Sequence, residues 1–269
     1  MIQFEKQSFT SRLKSMLKVD FRRMLTMPLF YIMVGVSIII PVLILVMTTM
    51  MDGTTSVNPS TGVETTMEGF KNTWQAIAAL SSEGSNQQGM SMDLTSMCNI
   101  NMMYFMIAVV VCIFVCDDFR SGYVKNLFTT RSSKKDYVIS KSLVCCMAGA
   151  CMILGFFIGT IIGGGISGLP FDANEAGVSG IIMCLLSKIF VVGVFVPIFL
   201  VMSVVGKQRL WLAIILSLGC SMLLYSMVPM ITPLDSTMLN VVLCLAGGLL
   251  FSFGIGAISN IVLKKTSLV

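Results

Sequence analysis

Nine cysteines, an absence of histidine and one lysine inside an apolar run define what chemistry this 269-residue sequence could do. Zinc or redox chemistry would call for C-x-x-C pairs or for cysteine with histidine. Cys98, Cys112, Cys116, Cys145, Cys146, Cys151, Cys184, Cys220 and Cys244 instead fall in or at the edges of apolar runs, with no C-x-x-C among them. The role expected of them is that of small buried apolar side chains, with no metal bound. A phosphate-cradling G-x-x-x-x-G-K-[ST] loop is also missing, since Gly206-Lys207 is followed by Gln208. No Asp or Glu is expected inside a membrane span. Lys188 is the one clearly intramembrane charge, in a run long enough for its head group to snorkel outward. Ion-coupled carriers need buried ionisable groups or broken helices. If the chain moves a substrate uphill, the energy is expected from another polypeptide.

The polar chemistry concentrates in residues 117–141, DDFRSGYVKNLFTTRSSKKDYVISK, nine formal charges in 25 positions of a chain that is 12% charged. Phe119, Tyr123, Leu127 and Phe128 recur at helical spacing, Gly122 loosens the helix, and Thr129, Thr130, Ser132 and Ser133 supply turn chemistry. The stretch therefore reads as a short helical hairpin. Its expected exposed apolar edge of Tyr123, Leu127 and Phe128, flanked by Lys125 and Arg131, is a docking knob for a partner. A solvated loop without a partner is the competing reading. Residues 12–25, RLKSMLKVDFRRML, set Leu13, Met16, Leu17, Phe21 and Met24 on one face and basic residues on others. That pattern predicts an amphipathic helix at the inner membrane surface.

The elements that must position these stretches are membrane helices. A hydrophobic content of 55% and a mean hydropathy of +0.89 exceed what a water-soluble domain carries. A bilayer core takes about 20 apolar helical residues per crossing, and six runs qualify: 28–51, 98–116, 141–163, 181–205, 210–228 and 239–262. The expected fold is all-α, with an amphipathic segment over 1–27 and a six-helix transmembrane domain over 28–269. Of the 18 basic residues, all but Lys71 and Lys188 fall at the amino terminus, in 117–141, at Lys207 and Arg209, or at Lys264 and Lys265. The positive-inside rule then places both termini in the cytoplasm and 52–97 outside. The net charge of +5 is accordingly a topology signal, not a nucleic-acid footprint.

Two further patterns concern packing. Gly155, Gly159 and Gly163 in span three, and Gly248, Ser252 and Gly256 in span six, recur every four residues and predict close helix contacts within the bundle. Residues 66–82 set Phe70, Trp74, Ile77 and Ala78 on one face, predicting an interfacial helix on the outer leaflet with Trp74 at headgroup depth.

The amphipathic amino-terminal segment, the six spans and the loop after span two, with its acidic, Gly, x, x, Lys, x, Leu pattern, together resemble ABC exporter permeases of the type-2 class. The resemblance implies that 117–141 is the coupling loop that sits in a groove of a cytoplasmic ATPase, and that 1–27 is the connecting helix. It puts Asp117 or Asp118 at the acidic position, Gly122 at the glycine, Lys125 and Leu127 on the coupling helix, and Lys141 at the start of span three. The proline often found after that helix is replaced here by Thr129 and Thr130. The resemblance also implies two permeases, identical or homologous, and two ATP-binding subunits that carry the ATP and magnesium. Spans two and five would line the substrate path, with Met102, Met103, Tyr104, Met106, Trp211, Met222, Tyr225 and Met227. Methionine, 23 of the residues, suits varied apolar ligands.

The expected function is the multi-pass permease subunit of an ATP-driven exporter in a bacterial cell membrane, itself without an ATPase site. Its expected cargo is an apolar or amphipathic substrate, such as a membrane-active peptide (a bacteriocin, in self-immunity) or a lipophilic drug. The alternative is an unpowered membrane receptor, sequestering immunity protein or assembly factor.

Overall fold

The computed structural model describes residues 9–57, 64–66, 69–78, 98–130, 134–172, 177–207 and 209–265. Helix α1 (Phe9–Thr26) lies ahead of α2 (Pro28–Met51), whose first residue, Pro28, needs no helical N–H and starts the new axis. A hairpin of two three-residue strands, β1 (Thr55–Val57) and β2 (Glu64–Thr66), follows. Next come α3 (Met103–Arg120), α4 (Tyr123–Thr130), α5 (Lys134–Ser167), α6 (Gly177–Gly206), α7 (Leu210–Tyr225), α8 (Val228–Ile231) and α9 (Met238–Lys265).

Among the described residues, five helices are long and apolar enough to cross a membrane: α2, α3 with the turn that precedes it, α5, α6 and α9. The fifth of the six expected spans, α7, is apolar but has 16 residues, a rise of about 24 Å at 1.5 Å per residue. The centre of the bundle is α3 and α6, whose apolar windows are 67% and 56% buried, against 22% for α2 and 17% for α9. Both outer helices reach the core through the small-residue series. Gly155 approaches Ser37, Gly159 lies on the Ile38 carbonyl and Pro41, and Gly163 lies on Val42, so α2 packs along α5. Gly248 meets Phe190 and Gly193, and Ser252 Oγ donates to the Gly193 carbonyl at 3.0 Å, which docks α9 on α6. The expectation that these series receive helices of the same bundle holds for Gly155, Gly159, Gly163, Gly248 and Ser252, whereas a Cβ at Gly256 meets only Val138, at 3.9 Å.

Two expectations change. The segment around Trp74 is a single 3-10 turn, Thr73–Ala76, tucked into the end of the bundle and not a helix lying on the membrane. Phe70, Ile77 and Ala78 are buried in the apolar core, and Trp74 packs between Phe157 and Phe171, with ring centroids 6.2 and 5.7 Å away. The turn is held by an Asn72–Gln75 capping box, by Asn72 Nδ2 donating to the Asp172 carbonyl at 2.6 Å, and by Thr73 N donating to Pro170. Residues 79–82 of that expected helix lie outside the described residues. The second correction is Lys188. It does not snorkel: its side chain is fully buried within α6, because polar partners from two other elements meet it inside the bundle, as described below.

Candidate functional site

The sequence-marked coupling segment is built on a corner of four elements. Helix α3 carries its apolar face as far as Cys116 and then ends at Gly122, whose φ of +72° is a left-handed conformation suited to glycine. After this break α4 runs Tyr123–Thr130 at a new angle, and α5 begins at Lys134. Helix α1 lies against the start of α5.

Four charges converge inside that corner. Lys141, near the start of α5, places Nζ 2.7 Å from Asp118 Oδ2 on α3 and 3.0 Å from Asp20 Oδ1 on α1. Arg23, one turn after Asp20, pairs with Asp118 Oδ1 at 2.6 Å and reaches Asp117 at 3.9 Å. Hydroxyls of α5 add to these contacts: Ser140 Oγ donates to Asp20 Oδ2 at 2.6 Å, and Tyr137 Oη donates at 3.0 Å to Asp118 Oδ2, the oxygen that Lys141 also meets. Asp20, Asp118 and Lys141 are completely buried. A second pair, Arg12 with Asp136 at 3.5 Å, ties α1 to the first turn of α5.

Aromatic rings wall the cluster. Phe114 faces the Lys141 ammonium at 3.8 Å, and Tyr123 faces the Arg23 guanidinium at 4.2 Å. Burial, and then the charge of Asp20, push the Tyr123 phenol above its ordinary pKa, so it stays neutral. Burial works against the Arg23 charge, but Asp118 outweighs it and the pKa of Arg23 rises. Two cations against two buried anions leave no net charge in the corner. Such a cluster adds little net stability over an apolar packing, but it fails strongly if one member is removed. Its effect is to fix α1, α3 and α5 in one register beneath α4.

The structure distributes the expected coupling residues unequally. Gly122 is the break itself and Tyr123 touches the ionic cluster. Tyr123, Leu127 and Phe128 do not form an exposed edge. They are half-buried, with Leu127 and Phe128 packed on the cluster of Val124, Tyr137, Val138, Leu200 and Val204. Phe128 meets Tyr137 edge-on at 5.8 Å. The outward face of α4 is polar, with Lys125, Asn126 and Thr129 exposed. Arg131 lies outside the described residues. Of the two acidic candidates, Asp118 is the buried one and Asp117 stands at the rim. Helix α3 runs on to Arg120, four residues past the end of the apolar run, so Asp118 sits within the helix, paired with Arg23 and Lys141.

The expected substrate-path residues do not form one surface. Met103 is fully buried in the core, and Met102 and Met106 pack partly against it. Trp211 and Met222 are 61% and 65% exposed, on the outward stripe of α7 that also carries Ile215. Tyr225 is half-buried, its ring 5.5 Å from Phe105 of α3. Tyr104 faces inward, stacked on Phe195 at 4.5 Å and donating to the Lys188 carbonyl at 2.9 Å. Met227 is exposed beyond the end of α7.

Among the buried polar groups that the sequence does not single out are Asp20, Asn101 and Thr232. Asp20 is the lone acid in the basic 12–25 stretch and sits four residues from both Met16 and Met24, on the apolar face; that position was its signal. Asn101 and Thr232 had none. They accept from Lys188 Nζ at 2.8 and 2.9 Å, joining α6 to the start of α3 and the end of α8.

The sequence profile of a family described as ABC-2 family transporter protein matches residues 17–223. That span holds all four charges of the cluster and the whole of α2 to α6. No curated protein and no solved structure matches the chain.

Proposed function

Because the chain belongs to the ABC-2 transporter family, we propose that it exports an apolar or amphipathic substrate, a membrane-active peptide or a lipophilic drug, driven by ATP. It is a multi-pass membrane permease, the transport subunit of an ABC transporter, and works with an ATP-binding subunit. In our reading α7 is the sixth span, reaching full depth with the turn into α8, and both termini and α4 face the cytoplasm. Two permeases and two ATP-binding subunits assemble, and ATP and magnesium are held by the latter. The outward stripe of Trp211, Ile215 and Met222 faces the second permease and forms one wall of the path.

The observation that carries this reading is the buried cluster of Asp20, Arg23, Asp118 and Lys141. It makes α1, α3 and α5 one body under α4. A push on α4 is therefore delivered to the spans as a rigid displacement and is not lost in a loop. Closure of the ATP-binding pair moves α4, and the two membrane halves rock to open the path outward. The test uses inverted membrane vesicles, whose cytoplasmic face is outermost, with ATP and a lipophilic dye supplied in the surrounding medium. ATP-dependent dye uptake that survives collapse of ion gradients supports the reading, and uptake indifferent to ATP removes it in favour of an unpowered receptor or immunity protein. Cysteine-accessibility mapping of residues flanking α7 tests the sixth span: reagents should label its two ends from opposite sides.

A further inference from the structure

We propose that the groove between the start of α5 and the end of α9 binds one anionic, hydroxyl-bearing phospholipid such as phosphatidylglycerol. The groove has a volume of about 400 Å³ and opens at the periphery of the bundle, where Leu143 and Phe253 are exposed. It extends from Lys135 to Cys146 along α5, a rise of about 16 Å at 1.5 Å per residue. That is close to half of a hydrocarbon core about 30 Å thick, the depth of one leaflet. Its lining is mostly apolar, with Ser142 and Ser252 the polar residues along its length and Lys135, exposed on α5, and Asn260 of α9 at one end.

Asn260 supplies the independent observation. It is only 8% exposed, and its Oδ1 has no hydrogen-bond partner. A buried amide oxygen without a donor is costly in an apolar setting. A phospholipid seated here would place its phosphate against the Lys135 ammonium and its acyl chain along Leu143 and Phe253. A headgroup hydroxyl then donates to Asn260 Oδ1, which a phosphodiester with no hydroxyl beyond it, as in phosphatidylcholine, cannot do. A second copy of the chain laid in the groove would also cover the apolar lining, and the test below separates it from a lipid.

Native mass spectrometry of the full chain in nonionic detergent tests this, with phosphatidylglycerol, phosphatidylcholine of identical chains, and glycerol 3-phosphate as probes. One phosphatidylglycerol is expected per chain, held about fivefold more tightly than phosphatidylcholine, the preference one lysine near an anionic headgroup provides. Glycerol 3-phosphate alone should not be retained. Lys135→Gln should reduce the preference, and Lys135→Gln combined with Asn260→Leu should erase it. Gly256→Leu fills the groove from a position where an added Cβ meets nothing nearer than Val138 at 3.9 Å, and should remove both lipids. Equal binding of the two lipids, a preference that survives Lys135→Gln combined with Asn260→Leu, or glycerol 3-phosphate bound as tightly as lipid overturns the proposal. A dimer that Gly256→Leu dissociates assigns the groove to a second copy and overturns it as well.

Discussion

Lys141 holds its ammonium 2.7 Å from the Asp118 carboxylate, with neither side chain exposed to solvent, although the two are 23 positions apart and belong to helices on either side of α4. Lys141→Met would leave Asp20 and Asp118 buried with Arg23 as their remaining nearby cation. The expected loss is about 3–5 kcal/mol, read as a lower melting temperature of the purified protein. Adding Asp118→Asn restores one cation to one anion, and the double variant should recover part of the loss, a coupling of about 0.5–3 kcal/mol. Strictly additive losses would mean that the pair does not act as a unit.

The α2–α5 contact gives a contrast between two glycines of one helix. Any side chain at Gly159 meets the Ile38 carbonyl and Pro41, whereas a Cβ at Gly165 meets nothing within 4 Å. Gly159→Val is expected to cost about 1–3 kcal/mol by forcing the helices apart. Gly165→Ala should be neutral or gain about 0.5–1 kcal/mol of helix stability. Equal melting temperatures for the two variants would show that the Gly155–Gly163 face is not a tight seam.

Lys188 is satisfied by neutral oxygens inside the bundle. Lys188→Met would retain most of the volume but leave the buried Asn101 Oδ1 without its donor, at about 1–3 kcal/mol. Asn101→Leu in the same background removes the orphaned amide and should restore stability. If the double variant melts below Lys188→Met, Asn101 has a further partner and the network is larger than described.

What was legible in the sequence was what repeats locally. Apolar run length found the six helical runs, and spacing of four placed Gly155, Gly159 and Gly163 against a neighbouring helix. The Gly122 break and the helix after it followed from glycine chemistry and the Tyr123–Phe128 periodicity. Periodicity gives a face but not what covers it, so α4 was read as presenting Leu127 and Phe128 outward when α5 and α6 cover them. The ionic cluster was illegible for the same reason: Ser140 and Asp20 meet across 120 positions, and a charge near a helix end reads as solvated until a partner is known. Trp74 failed differently. Its amphipathic pattern is the same for a membrane surface and for a pocket between Phe157 and Phe171.

The polar face of α4 is where a motor subunit would act, since Lys125 is exposed while Leu127 and Phe128 hold the corner together. Leu127→Asp would therefore confuse folding with coupling. Lys125→Glu changes the charge offered to a partner without opening the core, and its melting temperature should equal that of the wild type.

The account's central claim is that this corner couples the bundle to an ATP-hydrolysing partner. It is tested most directly by purifying the tagged chain, co-expressed with its ATP-binding subunit, and measuring retained ATPase activity per chain. The wild type should hold the subunit and its activity, and Lys125→Glu should lose most of both at an unchanged melting temperature. A wild type that retains no ATP-binding subunit would contradict the account.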